Sequence, residues 1–129
     1  MIEKLEKHHI GIVIFPDEIL VLEKKWNCKF HFDVIQGVHV CFRWNEQMNI
    51  YEEYITKEGR ALNYIKGFHH ICYNVNGQDQ FQEIHDYIVK NKHGFRLTFL
   101  EKSGSKECNQ VAFYNVKNLG IIELNVLEQ

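Results

Sequence analysis

The sequence predicts an α+β fold in which two βαβββ modules of one chain form a curved mixed sheet around a cleft. Three observations support this prediction. With 129 residues and a hydrophobic share of 45%, the chain is large and apolar enough to bury a core. Short β-branched segments and helical patterns follow one another in the order βαβββ, twice. The segment His8–Ile10 also recurs 61 residues later as His69–Ile71, which predicts one domain of two related modules.

The first module is predicted over residues 7–56. Its first strand is short and rich in isoleucine. A proline and two acidic residues, Pro16-Asp17-Glu18, are then typical of a helix start, and apolar residues at helical spacing extend this helix to Trp26. Segments of β-branched and aromatic residues predict three further strands. The predicted strands of the first module cover residues 8–14, 30–35, 38–44 and 48–55.

The second module is predicted over residues 67–129, after a linking helix over about 57–66. It begins with a strand over residues 68–75. Apolar residues at a period near 3.6 then predict a helix from about Asp79 to Asn91, ended near Gly94. Alternating and β-branched segments predict its last three strands. These strands cover residues 96–100, 111–116 and 120–127.

Composition and charge exclude several kinds of partner. The chain has 15 basic and 17 acidic residues, a net charge of −2 and no long run of like charge, which argues against nucleic acid and anionic membrane surfaces. No apolar stretch approaches the roughly 20 residues of a membrane-spanning helix. The N-terminal segment has no signal-peptide pattern, so we expect a cytoplasmic protein. The four cysteines form no Cys-x-x-Cys pair, which favours buried thiols over disulfides or a zinc–thiolate site.

Two histidines and one glutamate are the candidate functional residues. Side chains alternate between the faces of a strand, so His9 and His70 lie opposite the isoleucines that pack on the helices. Glu123 lies between bulky apolar residues, where a buried carboxylate costs several kcal/mol unless a cation or hydrogen-bond donors meet it. Two imidazoles and a carboxylate are a typical ligand set for a divalent metal. The alternative is a polar cluster without metal, in which Tyr51 and the histidines satisfy Glu123.

Several segments, in order and with matching spacing, resemble one protein family. They are His8–Ile12 (HHIGI), Gln36–Phe42 (QGVHVCF), Gly67–Val75 (GFHHICYNV), Val111–Phe113 (VAF) and Leu119–Leu124 (LGIIEL). On these segments the chain resembles the vicinal oxygen chelate superfamily, also called the glyoxalase/bleomycin resistance/dioxygenase superfamily. Within it, the chain is most similar to methylmalonyl-CoA epimerase and glyoxalase-I-like proteins.

The resemblance implies a role for particular residues. Metal ligands in the family come from the first and last strands of each module, which implies His9, His70 and Glu123 here. An ungapped alignment places Tyr51 where the family has a fourth ligand, Glu or Gln, and a shift by one residue offers Glu52 instead. The epimerase likeness implies proton transfer by Glu123, with Tyr51 or Glu53 as a second acid or base. Some family members also carry a glutamate where this chain has Val40.

The activity implied is that of an isomerase or lyase. A divalent ion (Co, Mn, Ni, Zn or Fe) would chelate an enediolate while a proton moves next to a carbonyl. The implied substrate is a small molecule, with acyl-CoA thioesters as a candidate class, and the family implies a homodimer. Two alternatives remain open at this point: a metal-free small-molecule binding protein of the same fold, and an Fe(II) ring-cleaving dioxygenase, because His, His and carboxylate also form the ligand set of non-haem iron oxygenases.

Overall fold

The computed structural model describes residues 1–105 and 107–127, and it has the predicted α+β architecture. Residues 106, 128 and 129 of the predicted second module lie outside the described residues. The strands are β1 (Glu6–Ile14), β2 (His31–Asp33), β3 (Val38–Asn45), β4 (Ile50–Thr56), β5 (Gly67–Asn76), β6 (Gly94–Arg96), β7 (Glu101–Lys102), β8 (Gln110–Val116) and β9 (Gly120–Leu127). The helices are α1 (Ile19–Trp26) and α2 (Gly77–Val89), with short 3₁₀ helices at Ile2–Lys4, Pro16–Glu18 and Gly59–Ala61.

The chain divides into two compact units. The N-terminal unit is His9–His69, and the C-terminal unit is Met1–His8 together with His70–Gln129. Within residues 1–105 and 107–127, neither helix combines the length and hydropathy that a membrane span requires.

The N-terminal unit is a four-stranded mixed sheet in the order β2-β3-β4-β1. The first strand β1 runs parallel to β4, whereas β3 is antiparallel to both of its neighbours. Helix α1 covers one face of this sheet, and the opposite face carries a second apolar cluster. The residues packed on the α1 side are Ile12, Ile14, Ile19, Leu22, Cys28, Phe30, Cys41 and Tyr54. The opposite cluster consists of Val38, Val40, Phe42, Ile55, Ala61 and Tyr64.

The C-terminal unit repeats this arrangement. Its strands follow the order β5-β9-β8-β6, the first strand β5 is parallel to the last strand β9, and β7 pairs with β8. Helix α2 buries Phe81, Ile84 and Ile88 against one face of this sheet. Alternate residues of the strands, such as Tyr73 and Leu124, form the other side of that core. The prediction of two βαβββ modules in an α+β fold is therefore confirmed.

The predicted linking helix over residues 57–66 is wrong except for one 3₁₀ turn, Gly59–Ala61. Glu58 has an extended backbone, and its carboxylate is hydrogen-bonded to the backbone and ring of His39. Gly59 has a positive φ of 50°, and an added Cβ would lie 2.3 Å from the carbonyl oxygen of Gly37. These local contacts hold the segment across the turn before β3, where a longer helix does not fit.

The predicted strand over residues 96–100 is also corrected. Strand β6 ends at Arg96, and the amide groups of Leu97 and Thr98 both bond to the carbonyl oxygen of Phe113. Two successive donors on one acceptor break the pairing in the manner of a bulge. Pairing with β8 resumes only at the two-residue strand β7.

Candidate functional site

The N-terminal unit carries a buried histidine–glutamate pair. Parallel pairing of β1 with β4 places Glu53 opposite Gly11, two residues after His9. His9 Nε2 lies 3.3 Å from Glu53 Oε1. His9 is 0% exposed and Glu53 is 8% exposed. The ring of Phe42, which is paired with Glu53 across β3 and β4, meets the His9 imidazole edge to face at a centroid distance of 5.3 Å. Glutamate and phenylalanine thus hold the imidazole from two sides.

The C-terminal unit carries the same arrangement. Parallel pairing of β5 with β9 places Glu123 opposite Cys72, two residues after His70. His70 Nε2 lies 3.1 Å from Glu123 Oε1, and the two residues are 0% and 5% exposed. Phe113, the partner of Glu123 on β8, meets the His70 imidazole edge to face at 5.1 Å. A histidine, a glutamate and a phenylalanine therefore occupy equivalent register positions in both units.

The strand register corrects the position assigned to Tyr51. Glu53, not Tyr51, is the residue equivalent to Glu123, because each lies opposite the second residue after the histidine. Tyr51 is instead paired directly with His9, is 36% exposed, and packs against the ring of Trp44. The connection between the last two strands spans residues 46–49 in the N-terminal unit and 117–119 in the C-terminal unit, a difference of one residue, whereas the ungapped alignment missed Glu53 by two.

The alternative ligand Glu52 lies on the other face of β4. Its carboxylate accepts hydrogen bonds from Asn45 and from the Tyr54 hydroxyl, and it lies 3.7 Å from the Arg43 guanidinium. These contacts commit Glu52 to the α1 side of the sheet, where Tyr54 packs. The shift by one residue is therefore wrong as well. The sequence did offer one signal for Glu53, since Phe42 and Phe113 stand in similar segments and each is followed by a glutamate on the next strand.

Val40 is buried in the apolar cluster of the N-terminal unit, beside Ile55 and Val38. It lies on the same face as Phe42 and Glu53, since residues two apart in a strand share a face. Some members of the similar family carry a glutamate at this position, whereas this chain has the apolar Val40.

The chemistry of the donor set fits a divalent metal. His9, Glu53, His70 and Glu123 are all buried, and imidazole nitrogen and carboxylate oxygen are ligands for zinc, cobalt, nickel, manganese and iron. A buried carboxylate is expensive to desolvate, and a cation offsets that cost. The phenylalanine beside each imidazole also fixes the orientation of its ring, as a metal site requires.

Comparison with known proteins finds no matching protein-family model and no match among curated proteins. Solved structures do match. A variant of methylmalonyl-CoA epimerase from Streptomyces coelicolor, in complex with 2-nitronate-propionyl-CoA, has a TM-score of 0.63 at 15% identity, with 98% of this chain and 100% of that chain covered. Methylmalonyl-CoA epimerase from Mycobacterium tuberculosis has a TM-score of 0.66 at 12% identity, with 96% of this chain and 89% of that chain covered.

Identities of this size establish the fold alone. They agree with the sequence motifs, which resemble the same proteins. The chain therefore has the fold of methylmalonyl-CoA epimerases, which are members of the vicinal oxygen chelate superfamily.

Proposed function

We propose that the chain is a metal-dependent enzyme of the vicinal oxygen chelate type, with His9, Glu53, His70 and Glu123 as the ligands of one divalent ion. The observation that carries this proposal is the duplicated pair: each unit buries an imidazole and a carboxylate at equivalent strand positions. Each unit thus contributes one nitrogen and one oxygen donor from the same register positions of its first and last strands. Two imidazoles and two carboxylates form a complete protein ligand set with room for substrate oxygens.

The proposed reaction is proton transfer next to the carbonyl of a small molecule, with acyl-CoA thioesters as the substrate class. A bound divalent ion supplies Lewis-acid stabilisation of the negative charge that develops on the carbonyl oxygen. The similarity to an epimerase that binds 2-nitronate-propionyl-CoA supports this substrate class. The apolar side chains of Val38, Val40 and Ile55 line the same face as Glu53 and would keep water from the reacting carbon.

Glu123 is the proposed proton acceptor, and Glu53 is the proposed second acid or base. Both are buried carboxylates held beside an imidazole, an environment in which a proton moves over a short distance. Tyr51 remains a proposed proton donor, because its phenol lies on the same strand face as Glu53 and reaches solvent. It acts from the edge of this face rather than as a ligand.

Metal analysis and isotope exchange test the proposal together. The purified chain should retain about one divalent ion after dialysis, and His70→Ala should abolish this binding, whereas His31→Ala, at an exposed histidine, should not. The metal-loaded chain should exchange solvent deuterium into methylmalonyl-CoA or related 2-acyl thioesters. Full metal content in the His70→Ala variant contradicts the ligand assignment. Absence of exchange with all of these thioesters contradicts the proposed reaction.

A metal-free binding protein is the second candidate, and one observation favours it. Each imidazole nitrogen already lies within ion-pair distance of a carboxylate oxygen in its own unit, at 3.3 Å and 3.1 Å, so a protonated histidine would balance the carboxylate charge of each pair without an ion. A chain that binds no metal yet binds an acyl-CoA would support this candidate. Oxygen uptake with Fe(II) and a catechol would instead support the ring-cleaving dioxygenase. The proposed homodimer is checked by light scattering of the purified chain.

A further inference from the structure

The N-terminal unit contains a pair of neighbouring thiols away from the proposed ligands. Cys28 follows helix α1 and Cys41 lies in β3, and their Sγ atoms are 3.5 Å apart. Both belong to the apolar cluster on the α1 side of the sheet. Phe42, the next residue in β3, faces the opposite side and contacts His9. Within this unit, the thiols therefore lie on the face of the sheet opposite to His9 and Glu53.

Hydrogen bonds fix the position of Cys28. Asn27 ends helix α1 in the left-handed conformation, with φ of 51°. The chain then turns so that the amide of Cys28 bonds to the carbonyl oxygen of Glu23. The carboxylate of Glu23 accepts a further bond from the amide of Phe30 at 2.7 Å. These hydrogen bonds at the end of helix α1 hold Cys28 close to Cys41.

We propose that Cys28 and Cys41 form a reversible disulfide when the protein meets a peroxide. A disulfide requires an S–S distance of about 2.05 Å, so the two sulfurs, now 3.5 Å apart, must approach by roughly 1.5 Å. In the first step the Cys28 sulfur attacks a peroxide oxygen, the O–O bond breaks, and a sulfenic acid and water form when the peroxide is hydrogen peroxide. In the second step the Cys41 sulfur displaces water from that sulfenic acid. Two thiols and one hydrogen peroxide give one disulfide and two waters.

The environments of the two thiols set the order of these steps. Cys41 is only 4% exposed, and burial together with the Cys28 thiol raises its pKa to about 12. A thiol of this kind forms little thiolate and is shielded from peroxide. Cys28 is half-buried and reaches solvent. Cys28 is therefore the thiol oxidised first, and its sulfenic acid then meets the Cys41 sulfur, which lies 3.5 Å from the Cys28 sulfur.

The bond would fasten helix α1 to the sheet. This helix has no fully buried residue and rests on partly buried side chains such as Ile19 and Leu22. A covalent link across residues 28–41 restricts the unfolded chain and holds the end of the helix on β3. We expect the thermal midpoint of the oxidised protein to rise by several degrees over the reduced protein.

Peptide mapping after mild oxidation tests the proposal. The full chain is treated with hydrogen peroxide, remaining thiols are alkylated, and the digest is analysed by mass spectrometry. We expect a peptide pair linked through Cys28 and Cys41 that a thiol reductant removes. Cys28→Ser and Cys41→Ser should each abolish it, and Cys108→Ser, at the other half-buried thiol, should leave it unchanged. Fluorescence of Trp26, two residues from Cys28, provides a second readout, because a disulfide quenches indole emission.

Other outcomes would overturn the proposal. One is a Cys28 sulfinic acid with Cys41 still alkylated, and another is a disulfide between two chains. If Cys41→Ser does not fold, Cys28→Ser still decides the case, because its half-buried position tolerates a hydroxyl. These readouts do not involve metal or thioester substrate, so the result is independent of the proposed function.

Discussion

Replacing Glu53 by glutamine separates the two roles of a buried carboxylate. The amide keeps the size and one oxygen of the side chain but removes its charge. In the metal-free protein this change relieves the desolvation of a residue that is 8% exposed but weakens its contact with His9, so we expect only a small net change in stability. In the metal-loaded protein the same change removes a charged ligand, so we expect weaker binding. If Glu53 had only a structural role, its replacement would lower the stability of the metal-free protein and would leave metal binding unchanged.

The magnitude follows from the charge that is lost. Interactions of an ionised group are roughly twice as strong as neutral ones, a difference of about 1–2 kcal/mol, so metal affinity should fall by about tenfold or more. At a metal concentration of about 100 times Kd, binding stabilises the wild-type protein by about 2.7 kcal/mol. A tenfold loss removes about 1.4 kcal/mol of this, which for a chain of this length lowers the metal-induced rise in Tm by roughly 4–7 °C.

Thermal unfolding with and without excess Co(II) or Mn(II) provides the assay, with metal affinity measured by titration. The matched controls are Glu52→Gln and Tyr51→Phe. Glu52 lies on the other face with Arg43 and Tyr54, so both controls should keep the full metal-induced shift. An undiminished shift in Glu53→Gln, or an equal loss in Glu52→Gln, would refute the register argument that places Glu53 among the ligands.

Three further variants test contacts that position the proposed ligands or stabilise the fold. Phe113→Leu should weaken metal binding by roughly 2–10-fold without unfolding the protein, because the edge-to-face contact with His70 contributes about 0.5–1.5 kcal/mol; titration measures it. Burial raises the pKa of Glu58, but hydrogen bonds from His39 and Thr56 outweigh it and hold the pKa below 4.5. Its stabilising contribution is therefore present above pH 4.5 and lost as the pH falls through the lowered value, and Glu58→Gln should flatten that part of the urea-midpoint profile. Gly59→Ala should destabilise the chain by at least 1–3 kcal/mol in urea unfolding, because its φ is positive and the new Cβ meets a carbonyl oxygen at 2.3 Å.

The sequence predicted the modules and most of the strands because their signals are local. Alternation within β1 and β5 correctly separated the residues packed on the helices from His9 and His70. The period of the apolar residues in α2 likewise identified Phe81 and Ile84 as core residues. These features depend only on neighbours within one strand or helix, so a single sequence is sufficient to find them.

The position of Glu53 was not predicted as a ligand position because strand register is not local. It depends on the length of the turn before β4, and a shift of two residues keeps the same face, so alternation alone does not distinguish Tyr51 from Glu53. The helix over residues 57–66 failed for a related reason. Its apolar spacing suggested burial, yet the close approach of Gly59 to Gly37 fixes the backbone through a contact across the unit.

The differences between the two units indicate where substrate selectivity would arise. Two residues beyond each histidine–glutamate pair, the N-terminal unit has Val13 opposite Ile55, whereas the C-terminal unit has Asn74 opposite Asn125. Asn125 is buried and donates to Asn74, and its own oxygen accepts the amide of Asn109.

Both units keep histidine, glutamate and phenylalanine at equivalent positions, whereas the next pair of residues differs between them. The Asn125 amide is already hydrogen-bonded to Asn74 and Asn109, so it would act on a substrate through the position of these two residues, whereas the apolar pair suits a hydrocarbon part of a substrate. Asn125→Leu should therefore raise KM for the thioester that undergoes deuterium exchange while metal content stays at the wild-type level. If Asn125→Leu lost both metal and activity, Asn125 would instead serve to hold Glu123 in position.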